Sequence, residues 1–248
     1  MKGVILAGGK GTRLYPLTST INKHLLPVGH YPMIYHPIQT LKESGINEIL
    51  IVTGIDDMGQ IARQLGSGKN FGVKFTYKVQ EQAGGIAEAL SLAEDFVKNE
   101  AFIAILGDNI FFENIRMFVN SFKESNSAAK VLIKEVESPE RYGVAKIENG
   151  KVIKIIEKPV NPTSKYAVTG IYMYDATVFE KIKNITRSKR GELEITDVNN
   201  AYIEADGLTY DILQGNWIDA GTVEALNEAN RLAMSVMLPG MGHGRGGS

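Results

Sequence analysis

Between Leu6 and Thr18 the chain reads LAGGKGTRLYPLT, which puts Gly8, Gly9 and Gly11, Lys10, Thr12 and Arg13 directly after the apolar run Val4-Ile5-Leu6-Ala7. Glycines let a backbone turn sharply and bring its N–H groups close to phosphate oxygens, while Arg13 and, further on, Lys23 supply positive charge. A plain strand-to-helix turn carrying exposed cations is the competing explanation. Two common nucleotide motifs do not fit. In Gly9-Lys10-Gly11-Thr12-Arg13-Leu14 a leucine stands where a dinucleotide fingerprint needs glycine or alanine, and no acidic ribose ligand follows about twenty residues on. A phosphate loop of the G-x-x-x-x-G-K-[ST] type is absent as well.

Two carboxylates stand out at element ends. Asp108 follows the apolar run Phe102 to Leu106, and Asp219 follows Trp217-Ile218 and precedes a Gly-Thr helix start. Each alone is compatible with a turn or cap residue, since Gly-Asp-Asn is a common turn. The four histidines show neither zinc-site spacing nor a neighbouring serine motif, so a hydrolase triad finds no support.

Residues this far apart need a scaffold. Val4 to Ala7, Glu48 to Thr53, Val73 to Val79 and Phe102 to Leu106 read as strands, rich in Val, Ile and Phe and ending at Gly, Asp or Gln. Between them, apolar spacing predicts helices over Met33 to Ser44, Met58 to Leu65 and Ile86 to Val97. This alternation predicts an α/β protein with a Rossmann-like, doubly wound, mostly parallel sheet, and ligands at the carboxyl ends of its strands. Beyond about residue 128 the strands crowd: Lys130 to Val136, Val144 to Ile147, Val152 to Lys158 and Ala167 to Tyr174, with an Asn-Gly hairpin signal at Asn149-Gly150. They predict an antiparallel insertion or sheet extension within a mixed sheet. Helices are expected over Ala176 to Lys183, Ile195 to Ala205 and Val223 to about Val236, in a single domain spanning 1–238. The Gly-rich segment 239–248 reads as a flexible tail.

Bulk properties narrow the function classes. A formal net charge of -1 in 248 residues argues against broad nucleic-acid binding, which needs a positive field over much of the surface. There is no cysteine, which excludes disulfides, thiolate metal sites and cysteine nucleophiles and suits a cytoplasmic setting. The apolar run after Met1 is too short for a signal-peptide core, and no stretch approaches the length of a membrane helix.

The full string from Leu6 to Thr18, followed by Asn22-Lys23-His24-Leu25-Leu26-Pro27-Val28, closely resembles the signature of sugar-1-phosphate nucleotidylyltransferases. Further segments extend the likeness to about residue 235. They are Gln80 to Ala87, Leu106 to Phe111, Arg141 to Ala145, Ile156 to Pro159, Gly191 to Asn199 and Trp217 to Thr222, and within the superfamily they look most like glucose-1-phosphate thymidylyltransferases.

That resemblance implies a nucleotidyltransferase fold and a reaction in which glucose 1-phosphate and dTTP give dTDP-glucose and pyrophosphate, with Mg2+ as cofactor and a homo-oligomer, tetramer or dimer, as the assembly. It implies nucleotide binding by Gly8, Gly9, Gly11, Thr12 and Arg13, catalytic roles for Arg13, Lys23, Asp108 and Lys158, and Asp108 with Asp219 as the metal pair. Gln80 carries a donor and an acceptor on one amide, enough to read thymine's imide edge, and Gly85 has an N–H to offer a base carbonyl. Structural roles for both are the alternative. Sugar-phosphate contacts are expected from Asn109, Tyr142, Gly143, Glu157, Lys158, Val168 and Trp217, although the aromatic pair is equally compatible with ordinary core packing. His24 stands where longer thymidylyltransferases usually have glutamine, and no catalytic role is expected of it. Longer members continue with helix that contributes to a secondary regulatory nucleotide site; the last helix here runs into Leu238-Pro239-Gly240, so control by dTDP-rhamnose through that site is not carried over. The competing functions are a sister activity using UTP or another nucleotide, and an inactive relative that binds sugar nucleotides as a regulator.

Overall fold

A computed structural model describes residues 1–125 and 127–239. Apart from Pro239, the segment read as a flexible tail lies outside the described residues.

The chain opens with strand β1 (Lys2–Ala7), a small hairpin of β2 (Pro27–Val28) and β3 (Tyr31–Pro32), and helix α1 (Tyr35–Glu43). There follow β4 (Glu48–Gly54), α2 (Met58–Leu65), β5 (Lys74–Gln80), the short helices α3 (Ile86–Ser91) and α4 (Glu94–Val97), and β6 (Phe102–Leu106). The middle of the chain forms β7 (Asn109–Phe111), α5 (Arg116–Glu124), β8 (Ala129–Glu135), β9 (Gly143–Glu148), β10 (Lys151–Glu157) and β11 (Tyr166–Tyr174). Last come α6 (Val178–Asn184), α7 (Ile195–Glu204), β12 (Leu208–Ile212), β13 (Trp217–Asp219) and α8 (Val223–Ala233).

β1 pairs in parallel with both β4 and β6, and β4 pairs in parallel with β5. On the far side of β6 the sheet turns antiparallel through β11, which carries β9 and β10 along one edge and β8 with β12 along the other. The crowded strands therefore extend the same sheet. The alternation of the pleat sorts the apolar runs into two cores: Val4, Leu6, Leu50 and Val52 pack beneath α3, α6 and α7, while Ile5, Ala7, Ile49 and Ile51 face α1, α2 and α5. Strands buried on both faces are why these segments are continuous in Val, Ile and Leu.

Three departures from the sequence reading have local causes. α1 starts at Tyr35 rather than Met33, because the N–H groups of Met33 and Ile34 donate to the carbonyls of Leu26 and His24. The helix expected over Ile86 to Val97 breaks into α3 and α4, where Ala93 N–H closes a tighter turn on Leu90. α5 and the short strands β2, β3, β7, β12 and β13 have no counterpart in the sequence reading.

The feature that makes room for a ligand is a fork at β11. Residues Ile171–Tyr174 pair with β6, but at Ala167 the partner is Val144 of β9. Between these points β6 has already ended at Leu106 and the chain has turned through Gly107 and Asp108, so a cleft opens over Val168, Thr169 and Gly170. No helix among the described residues is long and apolar enough to cross a membrane.

Candidate active site

The loop after β1 is shaped by positive-φ glycines. Gly9 (φ 95°) and Gly11 (φ 62°) turn the chain into a 3₁₀ helix over Thr12–Leu14, and Thr18 Oγ1 donates to Gly11 O at 2.9 Å. A Cβ at Gly11 would lie 2.9 Å from Thr18 Cγ2, so the loop has no room for one. Lys10, Thr12 and Arg13 are exposed along it, and Leu14 is the buried anchor. A second 3₁₀ turn, Lys23–Leu25, is capped by Asn22, whose Oδ1 accepts from His24 N at 2.8 Å.

That turn aims Lys23 at Asp108. Lys23 Nζ donates to Asp108 Oδ2 at 2.5 Å, and Asn109 Nδ2 donates to its Oδ1 at 3.1 Å. Burial by itself would raise the Asp108 carboxyl, but the adjoining Lys23 ammonium overrides it and holds the group well below the usual carboxylate range. Beneath them sits His24, fully buried, its Nδ1 2.9 Å from Asn22 Oδ1. Desolvation, and then Lys23, push it down to about 3, so it is neutral and packs as a wedge. Its ring fits only because residue 107 is glycine: a Cβ there would lie 2.7 Å from His24 Cδ2.

The second carboxylate arrives on β13. Asp219 faces Asn109 across the antiparallel β7–β13 ribbon, and Ala220 N–H donates to Asp108 O at 2.9 Å. Burial and the Asp108 charge raise Asp219, partly offset by Lys23 and Arg13. A Cβ at Gly221 would lie 2.9 Å from Asp219 Oδ1 and 3.0 Å from Arg13 Nη2, so guanidinium and carboxylate converge on one point at the start of α8. Two carboxylates, one of them raised by the charge of the other, beside exposed cations on the glycine-rich loop, are a donor set suited to a hard divalent cation.

The cleft at the fork has a volume of about 260 Å³ and holds charged groups of both signs. Glu157 closes β10, and its Oε2 accepts from Thr196 Oγ1 at 2.7 Å. Lys158 follows at φ 43°, a left-handed conformation unusual for lysine, with its N–H on Tyr142 O at 3.0 Å. Arg190 Nη2 and Lys158 Nζ each stand 3.7 Å from Glu157 Oε1. The Tyr142 and Trp217 rings, 5.0 Å apart, form one wall; Gly143 and Val168 supply backbone. Asn109 is committed within the protein: its Oδ1 accepts from Trp217 Nε1 at 2.7 Å and Gly170 N at 3.1 Å, which ties this cleft to Asp108.

Gln80, at the end of β5, lies across the loop from Gly8: a Cβ on Gly8 would approach its Oε1 to 3.3 Å. Gly85 (φ 102°) caps α3, with its N–H bonded to no acceptor among the described residues. It is wedged against the Leu193 carbonyl, which a Cβ would meet at 2.5 Å.

Of the residues singled out in the sequence, Asn109, Tyr142, Gly143, Glu157, Lys158, Val168, Trp217 and Asp219 line the cleft at the fork, while Gly9 and Lys23 line a separate hollow beside the glycine-rich loop and Lys23 joins the two through Asp108. Arg141, Arg190 and Thr196 in the cleft, His24 beneath it and Glu88 beside Gln80 were not singled out for the site. Arg190 and Thr196 lie beside or within the segment Gly191 to Asn199, so its extent was a usable signal; nothing local marks Glu88 or His24.

Fold and site together define an α/β enzyme that handles phosphorylated nucleotides, and the comparisons agree. The chain belongs to the nucleotidyl transferase family, whose model matches residues 2–235. It is 43% identical over 242 residues to a glucose-1-phosphate thymidylyltransferase of Neisseria meningitidis, covering 95% of this chain and 83% of that one. A Bacillus anthracis structure described provisionally as a glucose-1-phosphate thymidylyltransferase, in complex with a sucrose, superposes with a TM-score of 0.92 at 56% identity, covering 96% of both chains. A UDP-glucose pyrophosphorylase complexed with UDP-glucose follows at a TM-score of 0.83 and 27% identity, over 93% of this chain and 97% of the other.

Proposed function

We propose that the protein joins glucose 1-phosphate to dTTP, forming dTDP-glucose and pyrophosphate. The observation that carries this reading is a shared border: Asn109 and Asp219 line the sugar-sized cleft and also flank Asp108 and the phosphate loop. A sugar phosphate seated in the cleft therefore lies next to a triphosphate held by the loop.

In the reaction an oxygen of the sugar phosphate bonds to the α-phosphorus while the bond from that phosphorus to the bridging oxygen breaks, and the electron pair leaves with pyrophosphate. Two anions must meet, so positioning and charge neutralisation lower the barrier. Gly8, Gly9, Gly11 and Thr12 offer backbone to the triphosphate, and the planar fork of Arg13 holds two oxygens and stays charged as pyrophosphate departs. Lys23 sits between this loop and Asp108, where the new bond forms. Lys158 and Arg190 hold the sugar phosphate, and Glu157 accepts from hexose hydroxyls against the Tyr142–Trp217 wall. Gly143 and Val168 add backbone contacts, and Asn109 acts by fixing Trp217 and Asp108. Gln80 and Gly85 meet the base.

Asp108 and Asp219 fit Mg2+, with phosphate oxygens and water completing its shell, and the bound ion would supply charge neutralisation at the triphosphate. The same reading extends to a cytoplasmic homo-oligomer, tetramer or dimer, acting as one domain over 1–238; light scattering during size-exclusion chromatography reads its assembly.

The test is pyrophosphate release with glucose 1-phosphate and each of dTTP, UTP, ATP and GTP. We expect dTTP to lead with UTP second, because thymine and uracil share the imide edge. A clear preference for ATP or GTP overturns the thymidylyl assignment, and no release with any of them revives a regulatory role.

A further inference from the structure

We propose that Glu88 is a positioning residue that sets base choice by locking the orientation of the Gln80 amide. This rests on the reading of Gln80 as the base-facing residue. Gln80 Nε2 has two neighbours, Glu88 Oε1 at 3.2 Å and Gly85 O at 3.4 Å, and both can only accept. The amide must therefore turn its NH2 group toward α3, leaving Oε1 beside Gly8 and free of any donor among the described residues. What Gln80 presents to a base is thus an acceptor alone.

An acceptor at that point matches bases whose facing ring nitrogen carries hydrogen: thymine, uracil and guanine. Cytosine and adenine present a lone pair there, so an oxygen against it leaves both groups unpaired. Glu88 holds this selection only while it is ionised and fixed. Arg187 does both: its Nη2 donates to Glu88 Oε2, and its Nη1 donates to Gly191 O at 2.8 Å. The Arg187 hydrogen bond, with a smaller contribution from Gln80, keeps the Glu88 carboxyl below its ordinary range. The carboxylate also lies over Gly84, where a Cβ would collide with Oε2. Glu88 itself lies behind Gln80, on the far side of its amide from the loop.

Glu88→Gln replaces the shorter of the two obligate acceptors with an amide able to donate, so that only the 3.4 Å contact to Gly85 O still opposes a flip of Gln80 that presents NH2. The experiment measures kcat and KM for dTTP and dCTP in the full chain, together with equilibrium binding of both nucleotides. We expect the dTTP:dCTP ratio of kcat/KM to fall about tenfold through a higher KM for dTTP, with kcat for dTTP nearly kept. An equal loss on both nucleotides, as a merely structural role would give, or an unchanged ratio, overturns the proposal. Should Glu88→Gln melt below the assay temperature, Glu88→Ala reads the same ratio, since alanine suits a helix position. A wild-type preference for GTP would overturn the thymidylyl reading and leave this inference standing. A wild-type preference for cytosine or adenine nucleotides overturns the inference whatever the variants do.

Discussion

Lys23 Nζ lies 2.5 Å from Asp108 Oδ2, with both side chains largely buried, and the pair ties the turn after the glycine-rich loop to the end of β6. Asp219, close by, has no ion-pair partner among the described residues, and burial and Asp108 push it toward its neutral form against the smaller opposing pull of Lys23, Arg13 and the Gly221 N–H. The two carboxylates therefore differ in what their removal does to the fold.

Asp108→Asn leaves a buried ammonium without its counter-charge and is expected to cost about 3 kcal/mol of stability, whereas Asp219→Asn relieves a repulsion and leaves the melting temperature unchanged or higher. Both should lower turnover by orders of magnitude. Thermal melts and pyrophosphate release on the two variants check this; equal destabilisation would refute the charge argument, and retained activity in both would refute the metal assignment.

His24 makes stability depend on pH. Folded, it protonates only near pH 3, while unfolded it does so near its ordinary 6.5, so between these values the unfolded chain binds the extra proton and stability falls as pH falls. At pH 5 the loss attributable to His24 is about 2 kcal/mol. His36, also lowered by burial, adds in the same direction. Denaturant unfolding at pH 7 and pH 5 should show a smaller loss in His24→Gln than in the wild type; equal losses would mean that His24 is protonated in the folded protein.

Gly85→Ala forces a side chain into a left-handed residue with the Leu193 carbonyl 2.5 Å from the new Cβ. The variant should lose about 1–3 kcal/mol of stability and show a raised KM for dTTP, with KM for glucose 1-phosphate little changed. Steady-state kinetics varying each substrate in turn separates the two, and a change confined to the sugar phosphate would displace Gly85 from the nucleotide side.

Thr196→Val removes the hydroxyl that holds Glu157 Oε2 at 2.7 Å while keeping the side-chain volume. KM for glucose 1-phosphate should rise about tenfold and that for dTTP should not move. A double-mutant cycle with Glu157→Gln tests the coupling: additive effects would show that Thr196 does not act through Glu157.

Much of this architecture was legible because its signals are local. Val4 to Ala7 and Phe102 to Leu106 are apolar at every position, which only a strand buried on both faces requires, and they appear as β1 and β6 with the expected carboxyl ends. The turn after β1 announced itself through the glycines that its positive φ angles demand. The strands β7 and β13 had no such voice. Each has three residues, too few for a period, and they exist because they pair with one another across more than a hundred residues.

By itself, then, the sequence determined the longer strands and helices, the glycine-rich loop after β1 and the residue types fit for charge neutralisation, since backbone conformation and burial are set by neighbours a few positions away. Only the tertiary structure decided that β11 forks between β6 and β9 to open the cleft, that Lys23 neutralises Asp108 while burial and Asp108 raise the Asp219 carboxyl, and that Glu88 turns the Gln80 amide. Each of those is a contact between groups distant in sequence. Its energy depends on separation and burial in space, which residue spacing along the chain does not encode.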